Sequence, residues 1–184
     1  MMQDFPVHTI ASAPEQSRPA LEALQAVFGM IPNMAGAMAT SPVLINSLVG
    51  LFQRVHGGSF TEAQIQVLLL TNAVTNASEW AVAFHTALAL QAGVDVADVQ
   101  AIRVGRAPVD GQQAALSVLA KTLIEKRGRL DDQDADRFIA AGFNKDHLLE
   151  VIAVVAASTI TNYTGSVTKP PLEEPFQSHI WTTR

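Results

Sequence analysis

The chain has 184 residues, 48% of them apolar and only 16% charged, which is enough apolar material for one sizeable core and too little charge for a disordered chain. Twelve Lys and Arg against seventeen Asp and Glu give a net charge of −5, and no basic face for nucleic acid is expected. There is no cysteine, so disulfides, thiolate metal sites and a cysteine nucleophile are excluded for this chain. The first residues, Met1 to Pro14, show no basic segment followed by an apolar run, and the longest nearly apolar stretch, Val151 to Ile160, is about half a membrane span. The expectation is a cytoplasmic protein with no membrane partner.

Glycine and proline divide the chain into helix-length pieces. Residues 1–18 read as an extended N-terminal arm, and residues 19–184 as one helical domain with its C-terminal tail. Pro19 to Phe28 forms the first helix, opened by proline and closed by Gly29. Asn33 caps a short helix to about Thr40. Ser41-Pro42 starts a helix that stops at Gly57-Gly58, with His56 as a cation at its C-terminus. Ser59 and Glu62 have the spacing of a capping box for the next helix, which runs to about Asn76 and is apolar nearly all round from Ile65 to Leu70. A further helix extends from Ala77 or Ser78 to Ala92. Asp95, Asp110, Asp131 or Asp132, and Asn144 start the remaining ones, the last running to about Tyr163. Pro170, Pro171 and Pro175 make the tail extended. No run alternates convincingly with period two, so the fold class is all-α.

The chemistry-bearing stretch is Gln66 to Leu88, two helices joined near Asn76. Ser78, Ala81 and His85 are three and four residues apart and share a helix face, and Gln66 lies about three turns back on the preceding helix. No histidines have metal-ligand spacing, so no metal site is expected, and no glycine loop cradles a phosphate or nucleotide cofactor.

These two helices, together with Phe28-Gly29-Met30-Ile31-Pro32-Asn33, Ser41-Pro42-Val43-Leu44, Phe60-Thr61-Glu62-Ala63-Gln64, Ala140-Ala141-Gly142-Phe143 and Thr161-Asn162-Tyr163, make the chain resemble the AhpD-like and carboxymuconolactone decarboxylase family from about Leu21 to Trp181. The resemblance implies an AhpD-like helical bundle that forms a homo-oligomer. Redox members carry a glutamate, eleven residues, then C-x-x-C-x-x-x-H. The glutamate slot here holds Gln66, the two cysteine slots hold Ser78 and Ala81, and only His85 matches. Members of the decarboxylase branch often place a glutamate four residues before the histidine, where Ala81 stands.

The dithiol cycle needs both sulfurs, so the expectation is a peroxidase-like ancestry without a working peroxiredoxin-type site. Two alternatives stay open beside it: a non-redox small-molecule enzyme, decarboxylase- or isomerase-like, with His85 as acid and base, and a non-catalytic binding or scaffold oligomer. For His85 the bland alternative is a buried side chain bonded to a carbonyl or to Gln66; for Ser78, a helix N-cap; for Trp80 and Phe84, core packing. Tyr163 is expected to give its hydroxyl to a structural partner, and Arg103 with Arg106 could meet an anion.

Overall fold

The computed structural model of the chain describes residues 5–182; the first four residues of the expected arm and the last two of the tail lie outside that range. Among the described residues there are helices α1 (Arg18–Phe28), α2 (Asn33–Met38), α3 (Pro42–His56), α4 (Glu62–Thr75), α5 (Glu79–Gln91), α6 (Val96–Arg103), α7 (Gly111–Glu125), α8 (Asp132–Ala140) and α9 (Lys145–Thr168), and no strand. Short 3₁₀ segments, Glu15–Ser17 and Glu174–His179, interrupt the arm and the tail, which are therefore not extended throughout.

Most boundaries follow from capping chemistry. The Ser41 hydroxyl accepts the Leu44 N–H, and Asp95, Asp110, Asp131 and Asn144 cap α6 to α9 in the same way. α4 departs from expectation. Its capping box is Thr61 with Gln64, not Ser59 with Glu62, so the helix starts two residues later. That shift leaves the Glu62 carboxylate free of the cap. α9 also runs past Tyr163 to Thr168, where Lys169 adopts a left-handed conformation and Pro170 blocks continuation.

α4 is the central element. Ile65 through Ala73 are all buried, and the helix packs on α5, α6, α7 and α9. A helix without a polar face is stable only when neighbours cover it on every side. Its buried polar groups are partly matched from within: the Thr71 hydroxyl donates to Ser117 Oγ at 2.9 Å, and Asn72 Nδ2 donates to the Leu68 carbonyl. Ala77, at positive φ, turns the chain from α4 into α5. By length and composition α9 could cross a membrane, but it packs against α3, α4, α5 and α7 as part of this helical core.

The tail closes over α5. Arg103 Nη1 donates to Thr86 Oγ1 and to the His179 carbonyl, and Nη2 donates to the Ile180 carbonyl. Arg103 is thus a tail clamp and not free to meet an anion. Trp181 Nε1 donates back to the Arg103 carbonyl. Glu173, buried in the same tail, accepts the Asn33 N–H at the start of α2 and Trp80 Nε1 on α5.

Candidate functional site

α4 presents Gln66 and α5 presents His85 to each other across the interface between the two helices. His85 Nδ1 and Gln66 Oε1 are 3.0 Å apart, and both residues are buried. Gln66 Nε2 donates to Glu62 Oε1 at 2.7 Å, one turn back on α4. Glu62 Oε2 in turn lies 2.9 Å from His56 Nδ1, at the end of α3. The four side chains form one continuous chain, His56–Glu62–Gln66–His85, from the rim of the cavity into the core.

That chain determines where the protons sit. An ionised carboxylate only accepts, so the Gln66 amide must turn its NH₂ to Glu62 and its oxygen to His85. The Gln66 oxygen accepts too, so His85 Nδ1 must carry the proton, leaving the lone pair on Nε2. Among the described residues Nε2 has no hydrogen-bond partner, and it is not among the polar atoms sealed from solvent.

The electrostatics agree with this assignment. The hydrogen bond from His56, helped by the one from Gln66, holds the Glu62 carboxyl below its ordinary value. Burial pushes His85 down to about 3, with the nearby His56 adding to the effect and Glu62 opposing it. His85 is therefore a neutral imidazole at physiological pH.

His85 and Gln66 line a cavity of about 580 Å³ bounded by α1, α2, α3, α4, α5 and α9. Its walls are mainly apolar and include Phe28, Phe52, Leu69, Trp80, Phe84 and Leu88. Phe84 is the hub of the aromatic wall. It stacks on Trp80 at 4.7 Å, meets Phe28 and Phe176 edge-on, and touches the His85 ring edge-on at 5.3 Å. Thr161 is on the same lining, with its hydroxyl sealed from solvent and without a partner among the described residues.

The other two sequence-derived positions are not gathered here. Ser78 is the N-cap residue of α5, but its hydroxyl caps nothing and is buried without a partner. It lines a different recess of about 570 Å³, between the start of α5, the end of α9 and the tail. Ala81 is fully buried and lines neither space. A common helix face does not bring Ser78, Ala81 and His85 into one site, because seven residues carry His85 about 10 Å along the axis from Ser78.

Glu62 and His56 are members of the site that the sequence reading assigned elsewhere, to a cap and to a helix terminus. The spacing of Glu62 and Gln66, four apart on one helix, was the available signal for the first. Nothing local ties His56 to Glu62; the Gly57–Thr61 turn between α3 and α4 does so. Tyr163 is largely exposed and has no hydrogen-bond partner among the described residues, contrary to expectation.

Comparison with known proteins bears on the fold. The family model described as carboxymuconolactone decarboxylase family matches residues 46–122. A peroxidase-related protein from Ralstonia eutropha JMP134 with an alkylhydroperoxidase AhpD core is similar in structure, with a TM-score of 0.83, 16% identity, and coverage of 96% of this chain and 95% of that one. A peroxidase-related protein from Silicibacter sp. TM1040 gives a TM-score of 0.79 at 19% identity, covering 97% and 94% of the two chains. The debrominase Bmp8, as an alanine variant in complex with 2,3,4-tribromopyrrole, gives a TM-score of 0.79 at 15% identity, covering 97% and 96%. No curated protein matches the chain. Residues 46–122 thus resemble the carboxymuconolactone decarboxylase family, in a chain that has the AhpD-like helical fold along nearly its whole length.

Proposed function

We propose that this protein is a non-redox, small-molecule-binding member of the family, which holds a compact and largely apolar ligand against His85 and runs no thiol chemistry with its own residues. The observation that carries this reading is the His85–Gln66–Glu62 chain, which aims an unprotonated Nε2 at an apolar cavity. The positions equivalent to the redox thiols hold a buried hydroxyl, on a residue at the edge of another recess, and a sealed methyl group. Neither can be oxidised by a peroxide to a sulfenic acid or close a disulfide.

Binding is favoured over proton shuttling for a physical reason. An imidazole held near 3 is a poor base at neutral pH, and Gln66 polarises it without being able to take its proton. A second reading, proton abstraction by His85 from an acidic ligand, is supported by the Glu62 charge one amide away, which would stabilise a transient imidazolium. The debrominase with its bound halogenated pyrrole shows that a protein of this fold can hold a small apolar ring.

The test is binding of the neutral fluorescent probe N-phenyl-1-naphthylamine, together with a hydroperoxide assay containing a dithiol reductant. The probe should bind the wild type and be excluded from Leu88→Trp, which fills the cavity. Thiol-dependent turnover of cumene hydroperoxide, or probe binding unaffected by Leu88→Trp, would overturn the proposal.

We also propose that copies associate through α9, in the cytoplasm. Val151 to Thr168 contains no charged residue, yet Leu149, Ile152, Tyr163 and Val167 are exposed along this helix. A second copy of the same uncharged face is the partner it fits. Light scattering after size exclusion should show an oligomer, and Ile152→Glu should reduce it to monomers; a monomeric wild type would overturn this.

A further inference from the structure

We infer, on the small-molecule reading above, that the His85 cavity selects neutral, ring-sized ligands that donate one hydrogen bond, and turns away carboxylates and other anions. The polar inventory of the lining supports this choice. His85 Nε2 offers a lone pair and no proton, because the Glu62 carboxylate fixes the Gln66 amide and the amide fixes the imidazole tautomer. A ligand N–H or O–H completes it, whereas a ligand oxyanion finds an acceptor facing an acceptor.

Charge points the same way. Glu62 is on the lining, and no Lys or Arg is among the described residues that line the cavity. Arg103, the cation close to α5, is committed to Thr86 and the tail carbonyls. An anion would leave water, enter between aromatic walls, and meet the Glu62 carboxylate, while the His56 imidazole on the same lining is already engaged by that carboxylate. Burial keeps His85 from becoming a compensating cation. A decarboxylase acting here would have to seat a carboxylate with none of these aids.

The lining narrows the class further. Trp80 and Phe84, stacked on each other, are both on the lining, and this aromatic wall suits a ring-sized ligand. Phenols and N–H heteroaromatics meet these conditions; benzoates do not.

The experiment compares three para-chlorinated benzene probes by calorimetry at pH 7.5: 4-chlorophenol, 4-chloroanisole and 4-chlorobenzoate. The phenol should bind about tenfold more tightly than the anisole, the worth of one neutral hydrogen bond in a site that would otherwise leave an acceptor unpaired. The benzoate should bind about a hundredfold more weakly than the phenol. His85→Phe should level the phenol with the anisole. Long-range ¹⁵N–¹H spectra of the wild type should show His85 protonated at Nδ1, which keeps the inference testable even if the variant does not fold.

Benzoate binding as tight as the phenol, with displacement of N-phenyl-1-naphthylamine, would overturn the ligand class and leave the pocket reading intact. An Nε2-protonated His85 would also overturn the ligand class. Failure of all three probes and of the naphthylamine would remove the pocket reading and this inference together.

Discussion

Acidification should destabilise the fold through His85, by an amount the structure sets. The unfolded chain presents an ordinary imidazole at 6.5, and the folded chain holds it at about 3. Below pH 6.5 the unfolded state therefore binds a proton that the native state refuses. Stability falls as the pH drops from about 6.5 towards 3, and is independent of this group above that window. Between pH 7.5 and 5.0 the loss is about 2 kcal/mol from this one residue.

The assay is urea unfolding across that range, for the wild type and for His85→Asn. Asparagine keeps an N–H near the position of Nδ1 for Gln66 but does not titrate. Glu62 and His56, the ionisable groups that face His85 through the chain of hydrogen bonds, are present in both proteins and largely cancel in the difference. The Glu62 carboxyl, itself held low, works in the same direction in each. The difference in unfolding free energy should narrow by about 2 kcal/mol as the pH falls from 7.5 to 5.0. Parallel curves would show that His85 is hydrated and freely protonated in the native state, and the assignment of a neutral, acceptor-only imidazole would fail.

Three further outcomes are expected. Glu173→Ala should cost about 2–4 kcal/mol, because it strips acceptors from the Asn33 N–H and from the buried Trp80 indole, and Trp80 emission should shift to the red as the tail loosens. Gly36→Ala should cost about 1–3 kcal/mol, since its Cβ would fall 2.7 Å from Val7 Cγ1 and 2.9 Å from the His8 carbonyl; limited proteolysis should cut the displaced arm faster than in the wild type. Ser41→Ala removes the acceptor for the Leu44 N–H and should cost about 1 kcal/mol, read as a drop in Tm of about 2–4 °C.

The helical architecture was legible because its signals are local. Ser41-Pro42, Asp95, Asp110 and Asn144 cap the helices they precede, and the uninterrupted apolar run of α4 implies burial on all sides wherever its partners come from. Two caps differ from expectation: Asn33 is the first residue of α2, not its cap, and the cap of α4 had a consequence. Ser59 with Glu62 and Thr61 with Gln64 both satisfy the pattern of a capping box, and backbone geometry alone chose the second, releasing Glu62 to hold Gln66.

By itself the sequence determined the all-α class, the family likeness, the absence of thiols and the places of Gln66 and His85 on two successive helices. These depend on residue identity and on spacing along single helices. Tertiary structure alone decided that His56 completes the chain, that Ser78 lies beside a different recess, that Arg103 is tied to the tail, and that helices α1 to α3 complete a cavity over His85. Each of these depends on how separate elements pack. The protonation of His85 depends on packing too: its burial, its tautomer and the opposed effects of His56 and Glu62 are properties of the assembled bundle, and no stretch of sequence carries them alone.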